Sequence, residues 1–304
     1  MIRTVFDVLL ELNLELLPQI IVGLIMAIAT LLIAKSSISL KYKIITISVV
    51  ALILLILLIV HRVVGNRTDS MQNEGDNHEP PTESIHVSNQ AELIALIEVA
   101  DGDSRIELTN NISITTSLII PSGKNIVLLS DVRQAFSIIA DGNFHAIIVE
   151  NGAELTIDGI RVTRSPGTEG RGVYNLGIVV MENGFIDGHV NNYSGALGWG
   201  SGVFNEFGAS FTMRGGVISN NRTASRGGGI YNHVSATLII EGGEIIYNTA
   251  NYGGGIFNWG NFNMQGGRIS NNTAQTYGGG VFNSASFNHT GGDIINNEPI
   301  DMAR

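Results

Sequence analysis

Residues 253–283 read GGGIFNWGNFNMQGGRISNNTAQTYGGGVFN, and this stretch decides the fold. It opens and closes on one hexad, Gly-Gly-Gly-[Ile/Val]-Phe-Asn, with the closing Asn258 and Asn283 spaced 25 apart. Working outward, Asn175, Asn205 and Asn232 end the same Gly-[Val/Ile]-[Tyr/Phe]-Asn motif, so the steps from Asn175 to Asn258 are 30, 27 and 26. Glycine pairs starting at 215, 242, 266 and 291 form a second series with steps of 27, 24 and 25. Asn221, Asn248, Asn272 and Asn297 form a third series with the same steps. Three independent anchors with one period define a repeat of about 25 residues.

A unit of this length and chemistry suits one coil of a parallel β-helix. Short alternating pieces supply strands: Phe211 and Met213 point one way, Thr212 and Arg214 the other, and Leu238/Ile240 and Phe262/Met264 repeat the pattern. Glycines turn the corners because they reach φ > 0 without steric cost. Stacked asparagines can bond to one another and to backbone along the rod. Collagen is excluded because glycine has no period of three, and a leucine-rich repeat by the missing leucine ladder. Residues 86–160 read as the start of the same solenoid. There Asn89-x-x-Glu92 forms a capping box before AELIALIEVA, a helix expected to cover the open first coil. At about 25 residues per coil, residues 86–304 allow roughly eight or nine coils, with the close repeats at 170–298. No capping helix is visible at the far end, so the last coil is expected to offer an edge for self-association.

The composition is partitioned. Six glycines lie in residues 1–149 and 31 in 150–304, while the long aliphatic runs all precede residue 65. Ile20–Ala34 is an uncharged run extendable to Leu16, and Ile44–Val60 is a second. With flanks they suit two membrane spans, about 16–35 and 43–63, since a span needs about 20 apolar residues. Lys35, Lys41 and Lys43 in the short loop place that loop inside by the positive-inside rule. The downstream domain is then outside the cytoplasm, on a cell-membrane protein with two spans. Residues 65–85 are polar, include Pro80-Pro81, and read as a flexible linker. The expected fold class is therefore all-β: a right-handed single-stranded parallel β-helix behind an N-terminal two-helix hairpin.

Chemistry is sparse. The chain has no cysteine, which removes disulfide scaffolds, zinc ribbons and thiol nucleophiles. Its 17 Lys+Arg against 27 Asp+Glu give a net charge of −10, unsuited to nucleic acid. No cofactor or metal motif is present. Polysaccharide lyases and glycosidases need clustered carboxylates, yet residues 209–297 hold only Glu241, Glu244 and Asp293. Asp158, Arg161, Arg164, Asp187 and His189 make the densest polar group. The chain is read as a non-enzyme, with a polysaccharide lyase or hydrolase as the alternative and a passive spacer as a third reading. The residue before each glycine corner gives the column Glu169, Trp199, Arg226, Tyr252, Tyr277. Stacked about 4.8 Å apart, Trp199, Arg226, Tyr252 and Tyr277 would form a ladder suited to sugar chains. A second stripe, Tyr174, Phe204, Tyr231, Phe257 and Phe282, is expected on the outer face if the Asn175–Asn283 column is internal, and in the core if it is not.

The tandem GGGI and IxxN pattern resembles the repeats of chlamydial polymorphic membrane proteins and related bacterial β-helix surface proteins, with their pectate-lyase-like adhesive domains. The residues that carry the resemblance are 227–230, 253–256 and 278–281 for the first half, and 218–221, 245–248, 269–272 and 294–297 for the second. The resemblance covers 170–298 closely and 86–169 in style. It implies a right-handed β-helix at the cell surface with an adhesive role toward a glycan or another cell-surface component. It departs from that family in showing no translocating barrel after the repeats, and in its anchor, expected at residues 16–63.

Overall fold

A computed structural model describes residues 84–303 apart from 101, 131–134 and 194. The apolar runs at 16–35 and 43–63, and the linker up to residue 83, lie outside the described residues. Among the described residues no helix is long and apolar enough to cross a membrane.

The chain from Ile85 onward winds into a parallel β-solenoid of about eight turns, consistent with a right-handed β-helix. Each coil contributes one strand to each of three long sheets of nine, eight and eight strands, and a fourth sheet of four strands appears in the later coils. All pairings are parallel. Register is set by the repeat itself: Val173, Val203, Ile230, Ile256 and Val281 lie beside one another in one column. Leu155, Val179, Phe211, Leu238 and Phe262 align in the nine-stranded sheet. Val162, Ile186, Ile218, Ile245 and Ile269 align in the third. All these side chains are buried and form one apolar spine, because a stacked coil buries its inward face only against its neighbours.

Both asparagine series point inward and are buried. In the first, Asn175 Nδ2 donates to Asn205 Oδ1 (2.8 Å), and the relay continues through Asn232 and Asn258 to Asn283. In the second, Asn221, Asn248 and Asn272 each donate Nδ2 to the next rung at 3.0 Å. Each Oδ1 also accepts the backbone N–H of the rung before, as in Asn221 N to Asn248 Oδ1 (3.0 Å). Corner backbone that no strand can satisfy thus bonds to side chains, as burial requires. Asp301 closes this ladder by accepting from Asn297.

The triple glycines are explained by backbone crowding. A Cβ on Gly229 would lie 2.6 Å from the Gly255 carbonyl oxygen, and one on Gly255 would lie 2.6 Å from that of Gly280. Successive corners bond directly, Gly229 N to Gly254 O (3.1 Å) and Ile230 N to Gly255 O (2.9 Å).

Helix α1, Gln90–Val99, buries Leu93, Leu96 and Ile97 against the first coil. Asn89 caps it by accepting from Glu92 N (3.1 Å), and Glu92 reaches back to Ser88 N (2.9 Å). The first strand, Ile85–Val87, begins one residue before the expected boundary. At the far end, Met302–Ala303 pairs under Val281–Phe282, while the inward-facing Phe287 and Ile294 stay only half-buried.

Candidate functional site

The eight-stranded sheet that carries the first asparagine ladder also carries the aromatic stripe. Alternation sends Val/Ile and Asn inward and the residue between them outward. Tyr174, Phe204, Tyr231, Phe257 and Phe282 therefore stand on the outer face. Phe204 and Tyr231 lie 5.0 Å apart between ring centroids, Tyr231 and Phe257 5.3 Å, and Phe257 and Phe282 5.0 Å, all nearly parallel. The outward orientation follows the expectation, but the stripe is not solvent-facing: Phe204, Tyr231 and Phe257 are buried. They form a second apolar layer outside the solenoid wall.

The expected ligand ladder is what covers them. Trp199 stacks on Tyr231 at 4.9 Å, and Tyr252 meets Phe282 edge-on at 5.7 Å. The Arg226 guanidinium lies 5.2 Å from the Trp199 ring and 5.1 Å from Phe257, within cation–π reach. Arg171 plays the same part upstream, 4.5 Å over Phe204. The column does stack in register, with Arg226 bridged to Tyr252 and Tyr252 paired with Tyr277. Yet Trp199, Arg226 and Tyr252 are half-buried as a roof, and only Tyr277 is largely open, at 55% exposure. Burial of the Tyr231 phenol beneath this roof pushes its pKa well above the ordinary value.

Two further exposed aromatics stand on this side, one or two places past a motif asparagine: Phe207 (64% exposed) and Trp259 (39%). Sequence reading missed them because the repeat anchors drew attention to the asparagines and not to the corner after them. The His233 ring sits among Trp199, Phe207 and Trp259 at 6.4–6.5 Å, and Arg226 lies 5.5 Å from Trp259. A recess of about 340 Å³ beside Phe207 is lined by Asn151, Leu176, Phe207 and Gly208. Tyr174 donates its hydroxyl to Glu206 (3.0 Å); burial, then this carboxylate, raises its pKa. The result is a stacked aromatic face with Arg171 and Arg226 among its rings and Glu206 bonded to Tyr174.

The polar group from the irregular coils separates into two pairs. Arg161 grips Asp187 through both guanidinium and carboxylate edges, with Nε to Oδ1 at 2.7 Å. Arg164 Nε donates to His189 Nδ1 at 3.2 Å, both buried. Asp158 lies on strand Glu154–Asp158 of the nine-stranded sheet and joins neither pair. His189 occupies the second ladder's column, since its N–H donates to Asn221 Oδ1 (3.0 Å). Burial, with Arg164 nearby, lowers the His189 pKa to about 3. Glu241 accepts from Arg214 (3.2 Å), which also pairs with Glu182 (2.5 Å) on an exposed corner. Among the described residues no three His, Asp or Glu side chains gather around a metal-sized space. No known protein family, curated protein or solved structure matches this chain.

Proposed function

We propose that this chain is a membrane-anchored binding protein of the cell surface that recognises a glycan or another surface component through the outer face of its asparagine-ladder sheet. The observation that carries the reading is the set of exposed aromatics, Phe207, Trp259 and Tyr277, on a face stiffened by a stacked aromatic layer beneath. Aromatic and arginine side chains are enriched in recognition surfaces, and planar rings suit the C–H faces of sugars. Rigid backing lowers the ordering penalty on binding. The anchor is assigned to residues 16–63 from their apolar runs, with the solenoid outside the cytoplasm. A non-catalytic role is favoured by Glu182 and Glu241 being tied to Arg214 and Asp187 to Arg161.

The test is a glycan-array and cell-wall pull-down with the full chain in a non-sugar detergent, beside Phe207→Ala, Trp259→Ala and Tyr277→Ala. Binding by the parent and loss in folded variants is the expected outcome. Parent binding that all three variants retain would refute the face. A second reading, a spacer that assembles end to end, draws on the half-buried Phe287 and Ile294 in the last coil. It predicts concentration-dependent association that Phe287→Asp abolishes.

A further inference from the structure

The step from Asn175 to Asn205 is 30 residues, against 25–27 for the later ones. The additional length goes into the loop 192–199, which carries a single 3₁₀ turn, Gly195–Gly198. Backbone carbonyls of Gly195, Leu197, Gly198 and Trp199 in this loop are held by hydrogen bonds. Arg171 donates Nε to Trp199 O (2.9 Å) and Nη2 to Leu197 O (3.1 Å), and Asn191 Nδ2 also donates to Leu197 O (3.0 Å). Thr223 and Ser225 of the next coil donate to Gly198 O and Gly195 O. Under the loop lies a pocket of about 310 Å³, lined among others by Asn143, Phe144, Glu169, Arg171, Tyr193 and Leu197. It adjoins the aromatic face, because Arg171 covers Tyr174 and Phe204 on one side and faces the pocket on the other.

We infer that this pocket is a subsite for one uncharged pyranose unit of a glycan, an assignment that rests on the glycan-binding reading above. Three features point to it. Tyr193 and Leu197 are held open to solvent at 48% and 69% exposure on an anchored loop, and with Phe144 they give an apolar wall for a sugar's C–H face. Glu169 Oε1 accepts from Asn192 (3.0 Å), while its Oε2 makes no hydrogen bond among the described residues. Asn143 uses Oδ1 to accept from Glu169 N (2.8 Å), which leaves its Nδ2 to donate. A carboxylate acceptor beside an amide donor is the complement of neighbouring hydroxyls. The lining carries no net charge, since the Arg171 guanidinium and the Glu169 carboxylate offset one another. The Arg171 guanidinium is engaged by two carbonyls and lies 3.1 Å from His145 Nε2. Burial, then Arg171, then Arg164, hold the His145 pKa down at about 4, so that ring is neutral. With no net charge in the lining, a uronate carboxylate gains no overall attraction and would lie against Glu169.

Saturation-transfer NMR on the full chain, in a non-sugar detergent, tests this. The probes are methyl glycosides of glucose, galactose, mannose and N-acetylglucosamine, with glucuronate and galacturonate as the charged arm. At least one uncharged glycoside is expected to bind, and Glu169→Gln to weaken it about tenfold or more. Glu169→Gln keeps an acceptor for Asn192, and Leu197→Arg fills the pocket mouth from an exposed position, so both should retain the parental unfolding midpoint. If the parent binds immobilised oligosaccharides but no monosaccharide, or if both variants bind as the parent does, the pocket is refuted and the aromatic face stands. Preferential uronate binding that Glu169→Gln strengthens overturns the uncharged assignment. No glycan bound in either format sinks both.

Discussion

Replacing Asn248 by alanine tests the claim that the inner asparagines hold the coils together. Asn248 is fully buried and its side chain makes four hydrogen bonds. Nδ2 donates to Ile218 O (2.9 Å) and Asn272 Oδ1 (3.0 Å), while Oδ1 accepts from Asn221 N and Asn221 Nδ2, both at 3.0 Å. Alanine leaves the Asn221 N–H and one hydrogen of its amide without an acceptor. A buried unsatisfied group costs about 1–3 kcal/mol, so the expected loss is roughly 2–6 kcal/mol. For a unit of this size each kcal/mol moves the melting midpoint by about 2–4 °C, and a loss near the middle of that range lowers it by roughly 10 °C. Asn263, half-buried on the outward side of strand Asn261–Met264, is the control. Its alanine variant should stay within about 0.5 kcal/mol of the parent. Far-UV circular dichroism melts of the three proteins decide the matter. If Asn248→Ala melts with Asn263→Ala, the ladder is not what ties the coils, and the reasoning is wrong.

Gly229→Ala places a methyl 2.6 Å from the Gly255 carbonyl oxygen and 3.1 Å from both the buried Asn248 amide and Ile245 Cγ2; it should unfold the local coils, seen as protease cleavage near the corner. Gly208→Ala, with nothing within 4 Å of its Cβ but φ +74, should cost only about 1 kcal/mol. Tyr247 has φ 56, whereas Asn220, Asn271 and Asn296 hold the matching corners at similar angles. Tyr247→Asn should therefore raise the melting midpoint, by about 0.5–1 kcal/mol in stability. Burial, with Arg171 and Arg164 nearby, lowers the His145 pKa to about 4, and burial with Arg164 nearby lowers that of His189 to about 3, both below the ordinary 6.5. The unfolded chain protonates first, so the stability these neutral rings confer is complete above about pH 6.5 and falls as pH drops toward 4. His189→Asn should flatten the denaturant midpoint between about pH 7 and pH 4.5, and an unchanged slope would show that His189 titrates normally.

The solenoid was legible because its signal is repeated. Val/Ile and Asn, two apart, recur once per coil, and alternation then fixes which face each takes. The Asn89/Glu92 box and the apolar residues after it announced the capping helix in the same way. What was not legible depends on side chains meeting across coils at long separation. Trp199 stacks on Tyr231, 32 positions later in the chain, and no local pattern reports that reach. The spacing therefore put Trp199, Arg226, Tyr252 and Tyr277 in one column, while the part this column plays over Tyr231 and Phe282 was hidden. The irregular coils were harder still. Gly188 and His189 align with Asn220 and Asn221 only once the register of Asp187 with Ser219 is known.

Four consecutive residues show how the proposed binding and the stability of the fold can be tested apart. Ile256 points inward to the spine, Phe257 outward into the aromatic layer, Asn258 inward to the ladder, and Trp259 turns out at the corner. Phe257 contacts Tyr231, Phe282 and Trp259 and lies under Arg226. Phe257→Ala removes a large buried ring and should cost about 3–5 kcal/mol, and it should also weaken ligand binding because Trp259 and Arg226 lose their backing. Trp259→Ala removes a partly exposed ring that rests on that layer, so it should lower affinity with a much smaller change in melting. A Phe257 variant that melts far lower yet binds as the parent does would show that the outer layer serves the fold alone. The exposed corner would then have to position itself without it.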